Sequence, residues 1–184
     1  MYFKLSEIVK DDSPLIRQRS KNVELPLNNE DKALLEKMLA HVRNSQDSDF
    51  AQAHNITPAV GIAAIQVGVP KKMLAVVVHV DEDEIVELAL VNARIISESV
   101  QKIALEHGEG CLSVPGEHKG LVPRSMRIKV RAYDLITDQE IEFTAEDYLA
   151  VVLQHEIDHF SGRLFYDRIN KTNPWQQDDD LELI

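Results

Sequence analysis

The sequence predicts an α+β fold in which antiparallel β-sheets wrap around one central helix, with further helices near the N-terminus. Three observations lead to this fold class. Strand-like runs fill much of the chain between Met73 and Phe143, a helical run follows at 145–160, and two helical patterns come before. Strands followed by one late helix are typical of α+β rather than alternating α/β proteins. With 184 residues, 44% of them hydrophobic, we expect a single domain over residues 1–184.

Two helices are predicted ahead of the strands. Ser13–Pro14 is a suitable helix start because proline fits the first helical position, and this helix is expected to end near Ser20. A longer helix is expected to follow Asn28–Asn29, with acidic residues in its first turn. Its apolar stripe is expected to be core and comprises Leu34, Leu35, Met38 and Leu39. The polar stretch 44–54 is predicted to be a loop or a frayed end of this helix.

The middle of the chain contains the strand predictions. Met73–Val80 and Ile85–Asn92 are rich in β-branched residues and are predicted to form a hairpin around an acidic turn at Asp81–Glu84. Further strand-like runs lie at 94–106, 127–133 and 140–143. Thr144 and Asp147 match a capping box before the late helix. Residues 170–184 are polar and acidic and are predicted to form a peripheral tail.

Charge and composition exclude several classes of function. Twenty basic and thirty-one acidic residues give a formal net charge of −11, which argues against broad affinity for nucleic acids or anionic membranes. The single cysteine cannot form an internal disulfide and fits a reducing compartment. No apolar run approaches the roughly 20 residues of a membrane span, and the N-terminus lacks a signal-peptide core. We therefore expect a cytoplasmic protein with no specific nucleic-acid sequence and no membrane as partner.

The most informative stretch is QHEIDHFSGRLF, at 154–165. In a helix, His155 and His159 lie one turn apart and project from the same face, so both can bind one divalent cation. Glu156 can reach a water on the same ion. The alternative is two surface histidines that share a face by accident. The intervening glutamate and the apolar neighbours favour the metal site, because a buried ionisable cluster needs compensation.

A metal site on this helix needs a third protein ligand. The metzincin spacing would place a third histidine at position 165, where this chain has Phe165, which has no donor atom. A later carboxylate is available only in the acidic tail, behind Asn173–Pro174. We favour Cys111, which follows two glycines in the segment GEGC and would leave a fourth position open for water.

Small residues cluster at 58–70, in PAVGIAAIQVGVP. They allow the backbone to approach either a packed neighbour or a ligand closely. Gln66 is the one polar side chain in this run and can donate a hydrogen bond into a site. The segment is not a phosphate-binding loop, since no Gly-Lys-Ser/Thr sequence follows.

Three separated motifs carry a resemblance to a known family. VGIAAIQ at 60–66, EGCLS at 109–113 and QHEIDH at 154–159 resemble the signature motifs of peptide deformylases, the metal amidases that remove the formyl group from new bacterial proteins. LVPR and SGRLFYDR, at 121–124 and 161–168, extend the likeness over nearly the whole chain. The insertion before the first motif and the extended C-terminal tail resemble the subgroup typical of Gram-positive bacteria. Two positions depart from the family pattern. Ala59 stands where the family usually has glycine, and Ile65 where it often has proline. We do not expect the extra methyl of Ala59 to abolish activity.

The resemblance implies roles for individual residues. Cys111, His155 and His159 are expected to bind the metal, and Glu156 to act as general acid/base. Gln66 and the backbone N–H of Leu112 are expected to stabilise the oxyanion. The predicted substrate-binding residues are Val60, Gly61, Ile62, Gly110, Leu121 and Ile157.

For Val60, Leu121 and Ile157 as walls of the substrate pocket, core packing is the alternative interpretation. The peptide is expected to lie along the Gly61–Ile62 backbone as an added strand. Such main-chain pairing makes specificity beyond methionine loose. Glu109 and Arg124 are hypothesised to pair and to brace the cysteine loop.

The implied reaction needs one divalent metal ion. One cysteine and two histidines suit zinc on ligand grounds, whereas the resemblance implies ferrous iron, with nickel, cobalt or zinc as alternatives in purified protein. The metal would lower the pKa of its bound water from about 15.7 towards ~7, and the hydroxide would attack the formyl carbon. The substrates would be N-formylmethionyl nascent peptides met transiently at the ribosome, and the products formate and a free N-terminal methionine. A zinc peptidase and a non-catalytic interaction module are the rival interpretations.

Overall fold

The computed structural model describes residues 1–81 and 84–184, whose strands form two sheets. In chain order the strands are β1 (Gly61–Ala63), β2 (Met73–His79), β3 (Ile85–Glu98), β4 (Lys102–Ala104), β5 (Arg124–Ser125), β6 (Arg127–Asp134), β7 (Gln139–Glu146) and β8 (Leu181–Leu183). The larger sheet has the order β1-β2-β3-β6-β7, with every neighbouring pair antiparallel. The smaller sheet has the order β5-β4-β8, in which β4 pairs with β8 in parallel.

The helices lie before and after these strands. The α-helices are α1 (Asn29–Gln46), α2 (Ser48–His54) and α3 (Asp147–His159), and short 3-10 helices span Leu5–Glu7, Pro14–Arg17, Ala64–Val67 and Phe165–Arg168. The combination of antiparallel sheets with one late helix confirms the predicted α+β fold class.

The larger sheet lies between helices, as strand β2 shows. Side chains of β2 are buried on both faces of the sheet. Leu74, Val76 and Val78 belong to a hydrophobic cluster that includes residues of α3. The intervening positions 73, 75 and 77 belong to a second cluster, which includes residues of α1. Successive side chains of a strand point to opposite faces, so a continuous apolar run is what a strand covered on both sides requires. α3 and α1 therefore pack on opposite faces of this sheet.

α1 follows the sequence prediction closely. The side chain of Asn28 accepts a hydrogen bond from the backbone N–H of Asp31 (2.8 Å), as expected of an N-cap residue. Leu35, Met38 and Leu39 are buried, and Leu34 packs against the same cluster. The apolar stripe is therefore core, as predicted.

The prediction of a loop over 44–54 is wrong for most of that stretch. α1 continues to Gln46, and α2 follows immediately. Asp47 caps α2 by accepting a hydrogen bond from the N–H of Phe50 (2.9 Å), and Asn55 ends it in the left-handed conformation at a φ of 49°. Both residues are good helix-end signals, and they outweigh the low apolar content of the helix. The short helix at Pro14 is present, but it is a 3-10 helix that ends at Arg17 rather than near Ser20.

The start of α3 also differs from the prediction. β7 continues through Glu146, and Thr144 is paired with Lys129 of β6, so the proposed capping box does not form. Glu146 is the N-cap residue and its side chain makes no capping hydrogen bond. Pairing with β6 holds Thr144 in an extended backbone conformation, which overrides the local cap signal.

The predicted hairpin is confirmed, with β2 and β3 paired in register from Met73↔Val91 to His79↔Ile85. Of its predicted acidic turn, Glu82 and Asp83 lie outside the described residues. The strand-like run at 94–106 is divided, since β3 ends at Glu98 and β4 begins at Lys102.

The C-terminal segment is less peripheral than expected. β8 pairs with β4, and Leu181 is buried in a small cluster with Ala104 and Leu121. The preceding residues 170–180 are mostly exposed. The expectation of a peripheral tail is therefore corrected for Leu181–Leu183, because parallel pairing with β4 covers this end of the chain.

None of the helices within residues 1–81 and 84–184 has the length and apolar character needed to cross a bilayer.

Candidate metal centre and active site

One cysteine and two histidines converge at the sheet-facing side of α3. Cys111, His155 and His159 each present one ligand atom, and these atoms all lie within 4.8 Å of one another. Cys111 Sγ lies 3.5 Å from His159 Nε2, and the two imidazole centroids are 5.2 Å apart. The i, i+4 spacing on α3 brings the two rings together, whereas the tertiary fold brings Cys111 to them. No other such cluster of three occurs among the described residues, and Phe165 stacks on His155 instead of contributing a ligand.

Glu109 and Arg124 hold this cluster in place. Arg124 is 1% exposed, and its Nη2 donates to Glu109 Oε2 (2.8 Å), so the hypothesised pair is present. The Nδ1–H of His155 donates to the same carboxylate oxygen (2.7 Å). Arg124 Nη1 also donates to Asp158 on α3 (3.0 Å). With its Nδ1 occupied by Glu109, His155 is left with Nε2 as the nitrogen available for a metal.

Burial and charge shift the titration of the groups in this cluster. Burial acts to raise the pKa of Glu109, but hydrogen bonds from Arg124 and His155 outweigh it and lower the pKa to about 2. Burial also opposes the charged form of His155, yet its contacts with Cys111 and Glu109 raise its pKa well above the ordinary value. Burial lowers the pKa of His159 well below its usual range. Burial raises the pKa of Glu156 to about 7.

The residues present fit a divalent metal ion. A thiol and two imidazoles are the donor types that zinc, iron and nickel accept. Beside this donor set, Glu156 Oε2 is buried and has no hydrogen-bond partner among the described residues. A buried polar atom without a partner is costly, and a water or an ion nearby would satisfy it.

Gln66 is aimed at the same cluster. It is 1% exposed, and its Oε1 accepts a hydrogen bond from the N–H of Ala63 (2.8 Å). This contact fixes the amide so that Nε2 donates to Cys111 Sγ (3.4 Å) and to Ser113 Oγ (3.3 Å). The short 3-10 helix at Ala64–Val67 therefore delivers an N–H donor directly beside the sulfur.

A cavity of about 400 Å³ opens beside the cluster. Its lining includes predicted site residues, namely Val60, Gly61, Gln66, Gly110, Cys111, Leu112, His155 and Glu156. Gly61 lies so close to α3 that a Cβ there would be 2.6 Å from Glu156 Oε1, so any larger residue would have to displace this buried glutamate side chain. The close approach places the edge strand β1 directly against the glutamate.

Comparison with known proteins gives the same assignment for the whole chain. A sequence model of the polypeptide deformylase family matches residues 5–175. This chain belongs to the peptide deformylase family. The peptide deformylase of Ligilactobacillus salivarius is 46% identical over 92% of each chain, and peptide deformylase 2 of Bacillus cereus is 42% identical over 96% of this chain and 95% of its own. These relatives also confirm the predicted likeness to the Gram-positive subgroup.

Solved structures agree with the family assignment. The class I type b peptide deformylase of Acinetobacter baumannii is 28% identical with a TM-score of 0.71, covering 89% of this chain and 97% of its own. Peptide deformylase from Thermotoga maritima is 30% identical with a TM-score of 0.67, covering 92% and 98%. The protein is thus an enzyme of the peptide deformylase family that acts on formylated nascent peptides, which excludes the peptidase and the non-catalytic interpretations.

Three residues predicted to bind substrate do not line the cavity of this deformylase. Leu121 packs with Ala104 and Leu181, and Ile157 packs against the main hydrophobic cluster. Core packing, the alternative interpretation, therefore applies to both side chains. Ile62 is fully buried on the α1 side of the sheet, so only its backbone is available to a peptide.

Other residues of the deformylase cavity were not predicted from the sequence. They are Gln46, Thr57, Pro58, Leu105, Glu109, Tyr148, Val151 and Val152. A helical signal could have found Tyr148 and Val152, because they precede His155 and His159 by seven residues and therefore share their face of α3. The position of Gln46 had no local signal, since only the packing of α1 on the sheet brings it to the cavity.

Ala59 and Ile65, the two departures from the family pattern, differ in their surroundings. The N–H of Ala59 donates to Ser45 Oγ (3.0 Å), and its carbonyl accepts from Gln46 Nε2 (3.0 Å). Ala59 therefore sits at the rim of the cavity with its backbone tied to the end of α1. Ile65 is fully buried in the main hydrophobic cluster, where its larger side chain adds apolar contact.

Proposed function

We propose that this deformylase removes the formyl group from the N-terminal formylmethionine of newly made proteins by metal-dependent hydrolysis at Cys111, His155 and His159. One observation carries the proposal. A thiol from the loop after β4 and two imidazoles from α3 meet beside Glu156 at the wall of a cavity. This arrangement provides three ligands on one side and open space for substrate on the other.

The metal would be held by Cys111 Sγ, His155 Nε2 and His159 Nε2. When bound, a divalent cation supplies a Lewis acid that lowers the pKa of water from about 15.7 to about 7. We favour ferrous iron because of the family resemblance, and the same donors accept nickel, cobalt or zinc.

Glu156 is proposed as the general acid/base. Glu156 is 4% exposed, and its side chain lies against β1. One of its carboxylate oxygens has no hydrogen-bond partner among the described residues. In this position the carboxylate can take a proton from the attacking water and return it to the departing amine.

Gln66 and Leu112 are proposed to stabilise the oxyanion. Gln66 Nε2 already points at the metal cluster, and Leu112 follows Cys111 directly and lines the cavity. An amide side chain and a backbone N–H on either side of the sulfur can donate to the oxygen of the former formyl group. Each such donor is typically worth about 3 kcal/mol in the barrier.

Substrate selection is proposed to depend on the apolar part of the cavity. Its walls include Val60, Leu105, Tyr148, Val151 and Val152. An unbranched methionine side chain suits such a pocket. The peptide beyond it would add as a strand to the free edge of β1, along Gly61–Ile62, and main-chain bonds of this kind give broad specificity at the following positions.

The cellular setting is proposed from the charge and the family. A net charge of −11 disfavours nucleic-acid and membrane surfaces, so we propose a cytoplasmic enzyme that meets the ribosome only transiently. Its partners would then be the nascent chains themselves.

Formate release is the experiment that tests the proposed function. Anaerobically purified protein is assayed with formyl-Met-Ala and with unformylated Met-Ala, and its metal content is measured in parallel. We expect formate and free Met-Ala from the first peptide, no cleavage of the second, and one metal ion per chain. Cleavage of Met-Ala without formate release would replace the proposal by a peptidase.

A further inference from the structure

A short N-terminal segment connects the two loops that carry the proposed oxyanion donors. We call residues 9–11 the N-terminal strap. The N–H of Val9 donates to the backbone carbonyl of Gln66 (2.8 Å). The Nζ of Lys10 donates to the backbone carbonyl of Leu112 (2.7 Å). The strap thus contacts both donor residues, which are far apart in the sequence.

Two further contacts tighten this arrangement. The N–H of Asp11 donates to the carbonyl of Ser113 (2.8 Å), and the Ser113 hydroxyl accepts from Gln66 Nε2 (3.3 Å). The hydroxyl of Tyr166, which follows α3, lies 3.4 Å from Asp11 Oδ2. The strap is therefore tied to the segments that contain the first two family motifs and to the 3-10 helix that follows α3.

Among the contacts of the strap with Gln66, Leu112 and Ser113, the Lys10 contact is the one made by a strap side chain, so it can be altered without changing the strap backbone. Lys10 is half-buried and Ser113 is fully buried, which places this contact in a partly dry environment. Hydrogen bonds from an ionised donor are stronger than neutral ones, and a buried carbonyl that loses its donor is costly. The ammonium therefore restricts rotation of the peptide that joins Leu112 to Ser113.

We propose that Lys10 is a positioning residue for the deformylation reaction, which holds the Leu112 backbone so that its N–H and the Gln66 amide point at one oxyanion. The inference rests on the proposed oxyanion role of Gln66 and Leu112. The N–H of Leu112 lies on the other side of its Cα from the carbonyl that Lys10 holds, so anchoring this carbonyl limits movement of the Leu112 backbone as a whole. Val9 and Asp11 join the same two loops on either side of Lys10.

The kinetic effect expected on loss of the Lys10 contact depends on the step at which the oxyanion forms. The donors act on charge that develops in the transition state, and they act only at hydrogen-bond distance. An interaction made in the transition state alone raises kcat without changing substrate binding. Loss of the Lys10 contact should therefore lower kcat and leave KM nearly unchanged.

The test compares three metal-loaded variants in the formyl-Met-Ala assay. Lys10→Met removes the ammonium and keeps an unbranched stem, and we expect kcat to fall about tenfold with KM within about twofold. Lys10→Arg restores a charged donor and should recover most of kcat. The matched control is Lys37→Met, because Lys37 also contacts the N-terminal region, at Glu7 and Phe3, but lies away from the strap. This control should keep the parent kcat.

Hydrogen exchange provides a second readout that does not depend on turnover. In the zinc-loaded protein, the segment containing Leu112 and Ser113 should exchange faster in Lys10→Met than in the parent and in Lys10→Arg. Metal content should be the same in all three. An unchanged kcat and unchanged exchange in Lys10→Met would overturn the inference.

Gln66→Ala separates this inference from the proposed function. A fall in kcat for Gln66→Ala with a parent-like Lys10→Met means that only the role of Lys10 is wrong. A parent-like kcat for Gln66→Ala means that the oxyanion assignment itself is wrong. If Lys10→Met unfolds at the assay temperature, Lys10→Gln and Lys10→Arg are compared instead. Equal kcat values in those two variants would then overturn the inference, and a lower value for Lys10→Gln would support it.

Discussion

Glu109 connects the metal cluster to the rest of the protein at the level of single residues. Its carboxylate is nearly inaccessible and accepts hydrogen bonds from Arg124 and from His155. The same arginine also reaches Asp158, one residue before His159. A buried network of this kind orients a metal-binding imidazole and fixes which of its nitrogens faces the metal. The geometry of the site therefore depends on residues that do not contact the metal.

Removing Arg124 tests this dependence. Arg124→Met would leave Glu109 and Asp158 buried with fewer partners, and breaking a buried ion pair typically costs about 3 kcal/mol. We expect a loss of that size in the free energy of unfolding, measured by urea denaturation, together with weaker metal retention during dialysis. The matched control is Arg127→Met, because the Arg127 side chain is 63% exposed and its contact with Glu146 is 3.8 Å long. Equal stability of the two variants would contradict the bracing role.

Glu156 gives a separate prediction about chemistry. Glu156→Gln keeps the shape of the side chain against Gly61 but cannot accept the proton, so we expect kcat to fall by about 10²–10⁴-fold. The metal content, measured by elemental analysis, should stay at the parent level. Glu142→Gln, at an exposed position on β7, serves as the control and should retain full activity. Metal loss from Glu156→Gln would instead mean that this glutamate is a ligand.

His41 shows how a buried residue on α1 affects stability. It is 2% exposed, and its Nδ1 accepts a hydrogen bond from the N–H of Phe3 (3.2 Å). Burial lowers its pKa below the usual value, the Lys37 charge lowers it further, and Glu7 opposes this. Protonation therefore favours the unfolded chain. The stability that neutral His41 contributes is present above about pH 6.5 and is lost as the pH falls from there towards its folded-state pKa.

Urea unfolding at pH 7.5 and pH 5.5 measures this effect. We expect the parent to lose more stability between the two pH values than His41→Gln, by up to about 1.4 kcal/mol per pH unit. The glutamine keeps an acceptor for Phe3 and does not titrate. The same pH dependence in both proteins would show that His41 does not destabilise the fold when protonated.

At the scale of whole elements, prediction from the sequence succeeded where the signal was local. The His155–His159 spacing fixes two imidazoles on one helical face, and Asn28 marks the start of α1. Prediction from the sequence failed where contacts with a distant segment determine the local conformation. Thr144 looks like a helix cap, but pairing with β6 holds it in a strand. Leu121 and Ile157 pack with hydrophobic clusters, and the sequence does not reveal which way such side chains point once the chain has folded.

β8 is the clearest element that the sequence did not predict. It is three residues long, follows an acidic stretch, and pairs in parallel with β4, about 80 residues earlier in the chain. Its Leu181 covers Leu121 and Ala104 at the strand that leads into the cysteine loop. This element therefore forms one edge of the smaller sheet.

The contribution of β8 can be measured with one substitution. Leu181→Ala removes a buried side chain and should lower the free energy of unfolding by about 2–3 kcal/mol. Glu182→Ala is the control, since its side chain is exposed on the same strand and should change stability by less than about 0.5 kcal/mol. The melting temperatures of the two variants are measured in parallel by thermal unfolding. Identical melting temperatures would mean that the C-terminal strand is dispensable for the fold.

On the scale of the whole molecule, three motifs far apart in the sequence meet at one cavity. β1 and the turn that follows it bring Gly61 and Gln66, the loop after β4 brings Cys111, and α3 brings His155 and Glu156. The family likeness of the motifs made their joint role predictable from the sequence. The cavity walls at Gln46 and Leu105 were not predictable, because α1 and the segment that follows β4 reach the site only through packing.

X-ray absorption spectroscopy of the metal-loaded protein tests the central claim most directly, namely that Cys111, His155 and His159 bind one ion. For the zinc form we predict one sulfur neighbour at about 2.3 Å and two imidazole nitrogens at about 2.0–2.1 Å. The sulfur signal should disappear in Cys111→Ser. A spectrum without sulfur in the parent protein, or one that Cys111→Ser leaves unchanged, would contradict the account.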